Sequence, residues 1–112
     1  MVSMPKPRVA LPASSPAQRA ILAENAARHD LRNRIAQLGS EAAELAAACS
    51  RFLTGREAEA SCQISEEGAD VLMCLEQLCK KEPAFFSEIS RKKNRKVARL
   101  RVRMEIEDRV MA

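Results

Sequence analysis

The apolar residues between Leu31 and Phe52 recur at alternating steps of four and three along the chain. They are Leu31, Ile35, Leu38, Ala42, Leu45, Cys49 and Phe52. This spacing is typical of an amphipathic helix that buries a narrow apolar strip. Asp30 is a candidate N-cap before the strip, and Gly55 suits the left-handed position that follows a helix end. The pattern therefore predicts a helix from Asp30 to about Thr54.

A shorter helix is predicted before this one. Ser15 followed by Pro16 is a favourable N-cap and first helical position, and the helix should continue to about Ala27. The preceding residues, 1–15, contain Pro5, Pro7 and Pro12 and have no periodicity, so we expect a flexible N-terminal tail.

Two more helices are predicted after Gly55. The third starts either at Ser65 or near Glu57, because the sequence EAEA at 57–60 favours helix, and it stops before Pro83. Its apolar face consists of Ile64, Val71, Leu75, Leu78 and Cys79. The fourth covers roughly Pro83 to Arg109. Its apolar side consists of Phe86, Ile89, Val97, Leu100 and Met104.

The fold class predicted from these segments is all-α. No segment alternates apolar and polar residues as a strand would, and 112 residues suffice for one domain. Four helices with short connections indicate a four-helix bundle over residues 16–112. The chain has no Trp or Tyr and only three Phe, so its core should consist of aliphatic side chains, Met and Cys.

The net charge of +4 is unevenly distributed. Eight Lys or Arg and no acid lie between Arg91 and Arg103, whereas the other 11 basic residues are outnumbered by 15 acids. The sequence thus combines an acidic part with one basic helix, which is not the pattern of a uniformly basic protein that coats nucleic acid.

The four cysteines give no indication of a zinc site. Cys49, Cys62, Cys74 and Cys79 form no C-x-x-C pair, and His29 is distant from all of them. No apolar run is long enough for a membrane span, and the N-terminus lacks the apolar segment of a secretory signal. We therefore expect a cytoplasmic protein that makes no membrane contact.

Two acidic pairs are the strongest candidates for chemistry. Glu41 and Glu44 lie three residues apart on the second predicted helix, and Glu67 and Asp70 do so on the third. At about 100° per residue, both pairs fall roughly 60° to 130° from their apolar strips in the same rotational sense. Antiparallel packing would place them along one groove. The two pairs would also lie at the same height along the helix axes if the third helix begins near Glu57.

Four carboxylates in one groove repel each other unless a cation neutralises them. Mg²⁺, with Mn²⁺ as a possible substitute, prefers such oxygen ligands and keeps further positions for water or phosphate. The metal ligands predicted on this basis are Glu41, Glu44, Glu67 and Asp70. The alternative is that all four are ordinary solvated acids on helix surfaces.

The segment from Asp30 to Leu100 resembles a known family. The sequence SEAAEL at 40–45, followed by EEGADVLMCLEQL at 66–78, is similar to the paired E-x-x-E and E-x-x-D signature of the MazG-like all-α nucleoside triphosphate pyrophosphohydrolases, especially compact phage and prophage members. The family often has a further acid before the first pair, where this chain has Ser40. The number of metal ions and the group that activates water therefore stay open.

The resemblance implies a four-helix bundle that works as a homodimer or homotetramer. It also implies Mg²⁺-dependent hydrolysis of a nucleoside triphosphate to the monophosphate and pyrophosphate. Glu41, Glu44, Glu67 and Asp70 match the metal-binding carboxylates of the family. A metal-bound water would attack the α-phosphorus, and either Glu41 or Glu44 would accept its proton as the catalytic base.

The basic helix has three interpretations. Lys92, Arg95 and Arg99 loosely match a basic run in phage-type members of the family, and they would bind the phosphates of the substrate. They also fit an ordinary solvated face, or non-specific contact with nucleic acid. The rival to an enzyme is a non-catalytic helical module that binds nucleic acid or a protein through this helix. The sequence does not indicate which nucleobase an enzyme would prefer.

Overall fold

Four helices make up the fold in the computed structural model, which describes residues 11–112. They are α1 (Pro16–Ala27), α2 (Leu31–Leu53), α3 (Glu57–Lys81) and α4 (Pro83–Met111). No strand occurs within those residues, so the predicted all-α, four-helix fold is confirmed. Of the predicted tail, residues 1–10 lie outside the described part, and residues 11–14 have no regular secondary structure.

The helix starts follow from local capping. Ser15 Oγ accepts a hydrogen bond from the Gln18 amide at 3.1 Å, and Gln18 Oε1 accepts one from the Ser15 amide at 2.9 Å. This reciprocal pair satisfies two amides at the start of α1. Asp30 Oδ1 accepts from the Asn33 amide at 2.7 Å at the start of α2. These contacts confirm the starts predicted for both helices.

The turn between α2 and α3 decides the length of α3. Gly55 has φ 102°, a backbone conformation that glycine adopts without steric cost. The chain therefore reverses within three residues, and α3 begins at Glu57 rather than at Ser65. With this start, the acidic pairs Glu41/Glu44 and Glu67/Asp70 were predicted to lie at the same height along the two antiparallel helices.

Helices α2 and α3 pack as an antiparallel pair. Arg51, near the end of α2, donates to Gln63 early in α3, whereas Arg34 near the start of α2 donates to Gln77 late in α3. The less exposed residues of α2 are Leu31, Arg34, Leu38, Glu41, Leu45, Ala48, Arg51 and Phe52. The predicted strip was therefore partly wrong, because Arg34, Glu41 and Ala48 are less exposed than Ile35, Ala42 and Cys49.

The facing strip of α3 has the same period. It contains Ala60, Ile64, Glu67, Val71, Cys74 and Leu78. Helix α1 packs against α3 and buries Leu22 and Ala26. The body of the protein thus consists of α1, α2 and α3, with one carboxylate in each of the two strips where α2 meets α3.

Helix α4 extends beyond this body. It packs mainly against α3, and every residue from 91 to 112 is exposed. At 1.5 Å per residue a helix of 29 residues is about 43 Å long. The radius of gyration is accordingly 18.0 Å, compared with about 13 Å for a compact domain of similar length. The apolar side of α4 therefore has no partner within residues 11–112.

Substituting Ala for Gly39 or Gly68 should stabilise the fold. Both glycines lie inside helices, and a Cβ atom at either position would meet nothing within 4 Å. Alanine removes the entropic penalty of a helical glycine, so each change should raise the free energy of unfolding by about 1 kcal/mol. Urea unfolding monitored by circular dichroism measures this gain. A loss of stability in either variant would contradict the packing described here.

Candidate metal centre

Three carboxylates from α2 and α3 converge at the centre of the antiparallel pair. One ligand oxygen each from Glu41, Glu67 and Asp70 lies within 4.8 Å of the other two. Glu41 and Glu67 belong to the facing strips, and Asp70 follows Glu67 by one helical turn, so it projects to the same side. Opposite ligands of a bound Mg²⁺ lie roughly 4 Å apart. Small side-chain rotations would therefore place all three oxygens around one ion.

The environment of Glu67 opposes its ionisation. Burial raises the pKa of Glu67, and the close approach of the Glu41 carboxylate raises it further. The negative charges of Glu41, Glu44 and Asp70 act in the same direction. Two carboxyl groups in such contact are stable only if they share a proton or bind a cation. The site is therefore one that a hard cation would stabilise.

The hydrogen bonding of the three carboxylates leaves room for an ion. Glu41 Oε1 accepts one hydrogen bond from Gln37 Nε2 at 2.9 Å. Glu67 Oε2 is buried and accepts no hydrogen bond. A buried carboxylate oxygen without a donor is costly in free energy, and a metal ion supplies the missing positive partner. Glu76 Oε2 is also buried without a donor, but Glu76 does not belong to the converging group. The combination of converging carboxylates and an unsatisfied oxygen distinguishes the site from an ordinary exposed acidic patch.

Glu44 stands apart from the other predicted ligands. Its side chain is exposed, and it does not belong to the group of three whose oxygens converge. It nevertheless lies close enough for its charge to raise the pKa of Glu67. Of the four predicted carboxylates, the structure therefore brings three together and leaves the fourth beside them.

The predicted phosphate-binding residues are not at this site. Lys92, Arg95 and Arg99 are exposed on α4, whereas the cleft beside the carboxylates, about 230 Å³ in volume, is lined by residues of α1, α2 and α3. Lys92 Nζ instead lies 3.8 Å from the carboxylate of Glu88. Its pKa is lowered by a hydrogen bond from Arg91 and by the charges of Arg91, Lys92 and Arg95.

The cleft contains polar residues that the sequence analysis did not identify. Arg34 and Gln77 are 7% and 4% exposed. Arg34 Nη1 and Asn25 Nδ2 each donate to Gln77 Oε1 at 2.7 Å. The signal was the spacing of Arg34 from Leu31 and Leu38, which places it in the buried strip of α2.

Comparison of the chain with protein-family models, with curated proteins and with solved structures found no match. The resemblance to MazG-like enzymes therefore depends on the residues quoted above. None of the helices within residues 11–112 is both long and apolar enough to cross a membrane.

The stability of the metal-free chain should depend on pH through Glu67. Its pKa in the folded chain is raised above the ordinary value of 4.5, so the folded state binds more protons than the unfolded state between these two values. The Glu67 contribution to stability is therefore lost as pH rises from about 4.5 through the raised pKa. Glu67→Gln removes this effect, so the melting temperature of the variant relative to wild type should increase with pH.

Thermal melts of both chains in EDTA between pH 4 and pH 8 measure this difference. The Glu66→Gln variant is a matched control, because Glu66 is the exposed neighbour of Glu67. Parallel curves for wild type and Glu67→Gln would show that the Glu67 carboxyl is not perturbed.

Proposed function

We propose that this protein is a Mg²⁺-dependent nucleoside triphosphate pyrophosphohydrolase, which releases a nucleoside monophosphate and pyrophosphate. The observation that carries the proposal is the convergence of Glu41, Glu67 and Asp70 at a site with an unsatisfied buried oxygen. The paired acidic motifs that resemble the MazG-like family lie at the same residues. We place the enzyme in the cytoplasm, where its four unpaired cysteines would stay reduced.

The proposed mechanism gives each carboxylate a role. Glu41, Glu67 and Asp70 would hold Mg²⁺ or Mn²⁺, which lowers the pKa of a bound water and polarises the phosphate oxygens. Glu44 lies beside the cluster but outside it, so its carboxylate is available to take the proton of the attacking water. Glu41 is the other candidate for this base. The bond between the α-phosphorus and its bridging oxygen would then break to release pyrophosphate.

Removing either α3 carboxylate should abolish turnover. We expect Glu67→Gln and Asp70→Asn to lower the rate of pyrophosphate release at least 100-fold, because each loses a metal ligand while keeping its volume. The Glu66→Gln control should retain the wild-type rate. The assay uses a panel of canonical, deoxyuridine and damaged nucleoside triphosphates with Mg²⁺, which also identifies the preferred base. Wild-type rates in either ligand variant would refute the metal assignment.

The exposed side of α4 supports the proposed homo-oligomer. Ile89, Val97, Leu100 and Met104 are between 42% and 55% exposed, although they share one side of the helix. A largely apolar strip of this kind, interrupted here by Lys93, commonly marks a protein interface.

Charged substitutions on this side should dissociate the oligomer. We expect Val97→Asp combined with Leu100→Asp to give a monomer, because the aspartates would be buried in an apolar contact. Val102 lies on the opposite side of α4, and Val102→Asp should keep the wild-type mass. Sedimentation equilibrium measures both. A monomeric wild-type chain would contradict this part of the proposal.

The second candidate function is a helical module that binds nucleic acid or another protein. The observation in its favour is that the basic part of α4, residues 91–103, consists of exposed residues and lies outside the carboxylate cleft. The two candidates respond to different ligands. Mg²⁺ with a non-hydrolysable nucleotide should raise the melting temperature of an enzyme, whereas DNA or RNA should do so for the module.

A further inference from the structure

The cleft beside the carboxylates contains a buried positive charge that has no acidic partner. Arg34 is 7% exposed, and no carboxylate within residues 11–112 forms an ion pair with its guanidinium. Its Nη1 donates to Gln77 Oε1 and its Nη2 to Asn33 Oδ1, each at 2.7 Å. Both acceptors are neutral amides. Burying a guanidinium with only neutral partners is unfavourable, and an anion would relieve that cost.

The guanidinium also has unused donors. Arginine carries five N–H groups, of which two are used in these bonds. Arg34 Nε is buried and has no hydrogen-bond acceptor. Buried donors without acceptors are uncommon in folded proteins, and they are most often explained by a ligand, an ion or a water. Arg34 therefore offers both a positive charge and unused N–H donors to an oxygen-rich anion.

Arg34 lies in the same cleft as two carboxylates of the candidate metal site. Glu41 and Asp70 line the same cleft as Arg34, together with Asn25, Gln37 and Gln77. Without a cation, the nearby carboxylates offset the charge of Arg34 at longer range. A divalent cation bound by those carboxylates would remove that compensation. A phosphate group that contacts the cation on one side and the guanidinium on the other would then neutralise both.

We propose that the cleft between α1, α2 and α3 is a phosphate-binding subsite in which the guanidinium of Arg34 holds a phosphate group of the substrate. The inference depends on the proposed function, because the cation is what brings the phosphate to the cleft. It assigns the phosphate contact within one chain to a buried residue of α2 rather than to Lys92, Arg95 and Arg99 of α4.

The experiment is a calorimetric titration with Mg²⁺ alone and then with pyrophosphate in the presence of Mg²⁺. It compares wild type with Arg34→Met, which keeps an unbranched apolar stem but removes the charged guanidinium. Arg32→Met is the matched control, because Arg32 is an exposed residue of the same helix. We expect Arg34→Met to weaken pyrophosphate binding about 10- to 100-fold, while the control and the response to Mg²⁺ alone are unchanged.

Each other outcome has a defined meaning. If wild type binds Mg²⁺ but not pyrophosphate, or if Arg34→Met binds pyrophosphate as wild type does, the subsite is refuted and the metal site stands. If wild type does not respond to Mg²⁺, the proposed function and the subsite both fail. If Arg34→Met weakens binding of uridine or guanosine but not of pyrophosphate, the cleft binds the base, and the phosphate assignment is wrong.

A second measurement covers the case in which Arg34→Met does not fold. In the ¹⁵N-labelled wild-type chain, the Nε–H resonance of Arg34 should shift when pyrophosphate is added with Mg²⁺, and it is assigned by its loss in Arg34→Lys. An Nε–H resonance that does not move at saturating pyrophosphate would show that Arg34 only links α2 to Gln77.

Discussion

The contact between Glu41 and Glu67 is the constraint on which the rest of this structure depends. Both carboxylates lie in the strips along which α2 and α3 pack, where an apolar pair would give a more stable interface. Burial and the neighbouring acids together raise the pKa of Glu67. The antiparallel pair therefore contains a site that is strained electrostatically when empty of cations, and the surrounding apolar contacts must compensate for it.

The distribution of charge and of apolar surface separates the molecule into two functional parts. The body, α1 to α3, contains the carboxylates, the cleft and the buried Arg34, and it has every element that we propose for phosphate chemistry. Helix α4 contains most of the exposed basic and apolar side chains. No residue of α4 is buried within residues 11–112, and its exposed apolar side is the basis of the oligomer that we propose.

Much of the fold could be predicted from the sequence because helix boundaries depend on local chemistry. Ser15, Asp30 and Gly55 mark ends that the structure confirms, and the 3.6-residue period separates helix from strand. The acidic pairs could be expected on one groove because side-chain direction on a helix follows from spacing. The sequence predicted two alternative starts for α3, at Ser65 or near Glu57, because the EAEA segment has helical propensity but no capping side chain before it.

What could not be predicted is the rotation and contact of whole helices. The apolar pattern placed Ile35, Ala42 and Cys49 in the interface of α2, whereas packing against α3 favours Arg34, Glu41 and Ala48. A polar residue can be predicted to lie in such a strip only when its hydrogen-bond partner is known. The partner of Arg34 is Gln77, which is 43 residues away along the chain. For the same reason periodicity could not show that α4 leaves the body: an apolar side predicts burial, but not whether the partner belongs to the same chain.

The central claim is that carboxylates of α2 and α3 hold one common cation, and Mn²⁺ as a paramagnetic probe tests it most directly. In ¹H–¹⁵N spectra of the full chain at substoichiometric Mn²⁺, line broadening should be greatest for the amides near Glu41, Glu67 and Asp70, and excess Mg²⁺ should reverse it. Broadening that is centred on the acids of α4 at 105–108, or that affects all exposed acids equally, would contradict a shared metal site.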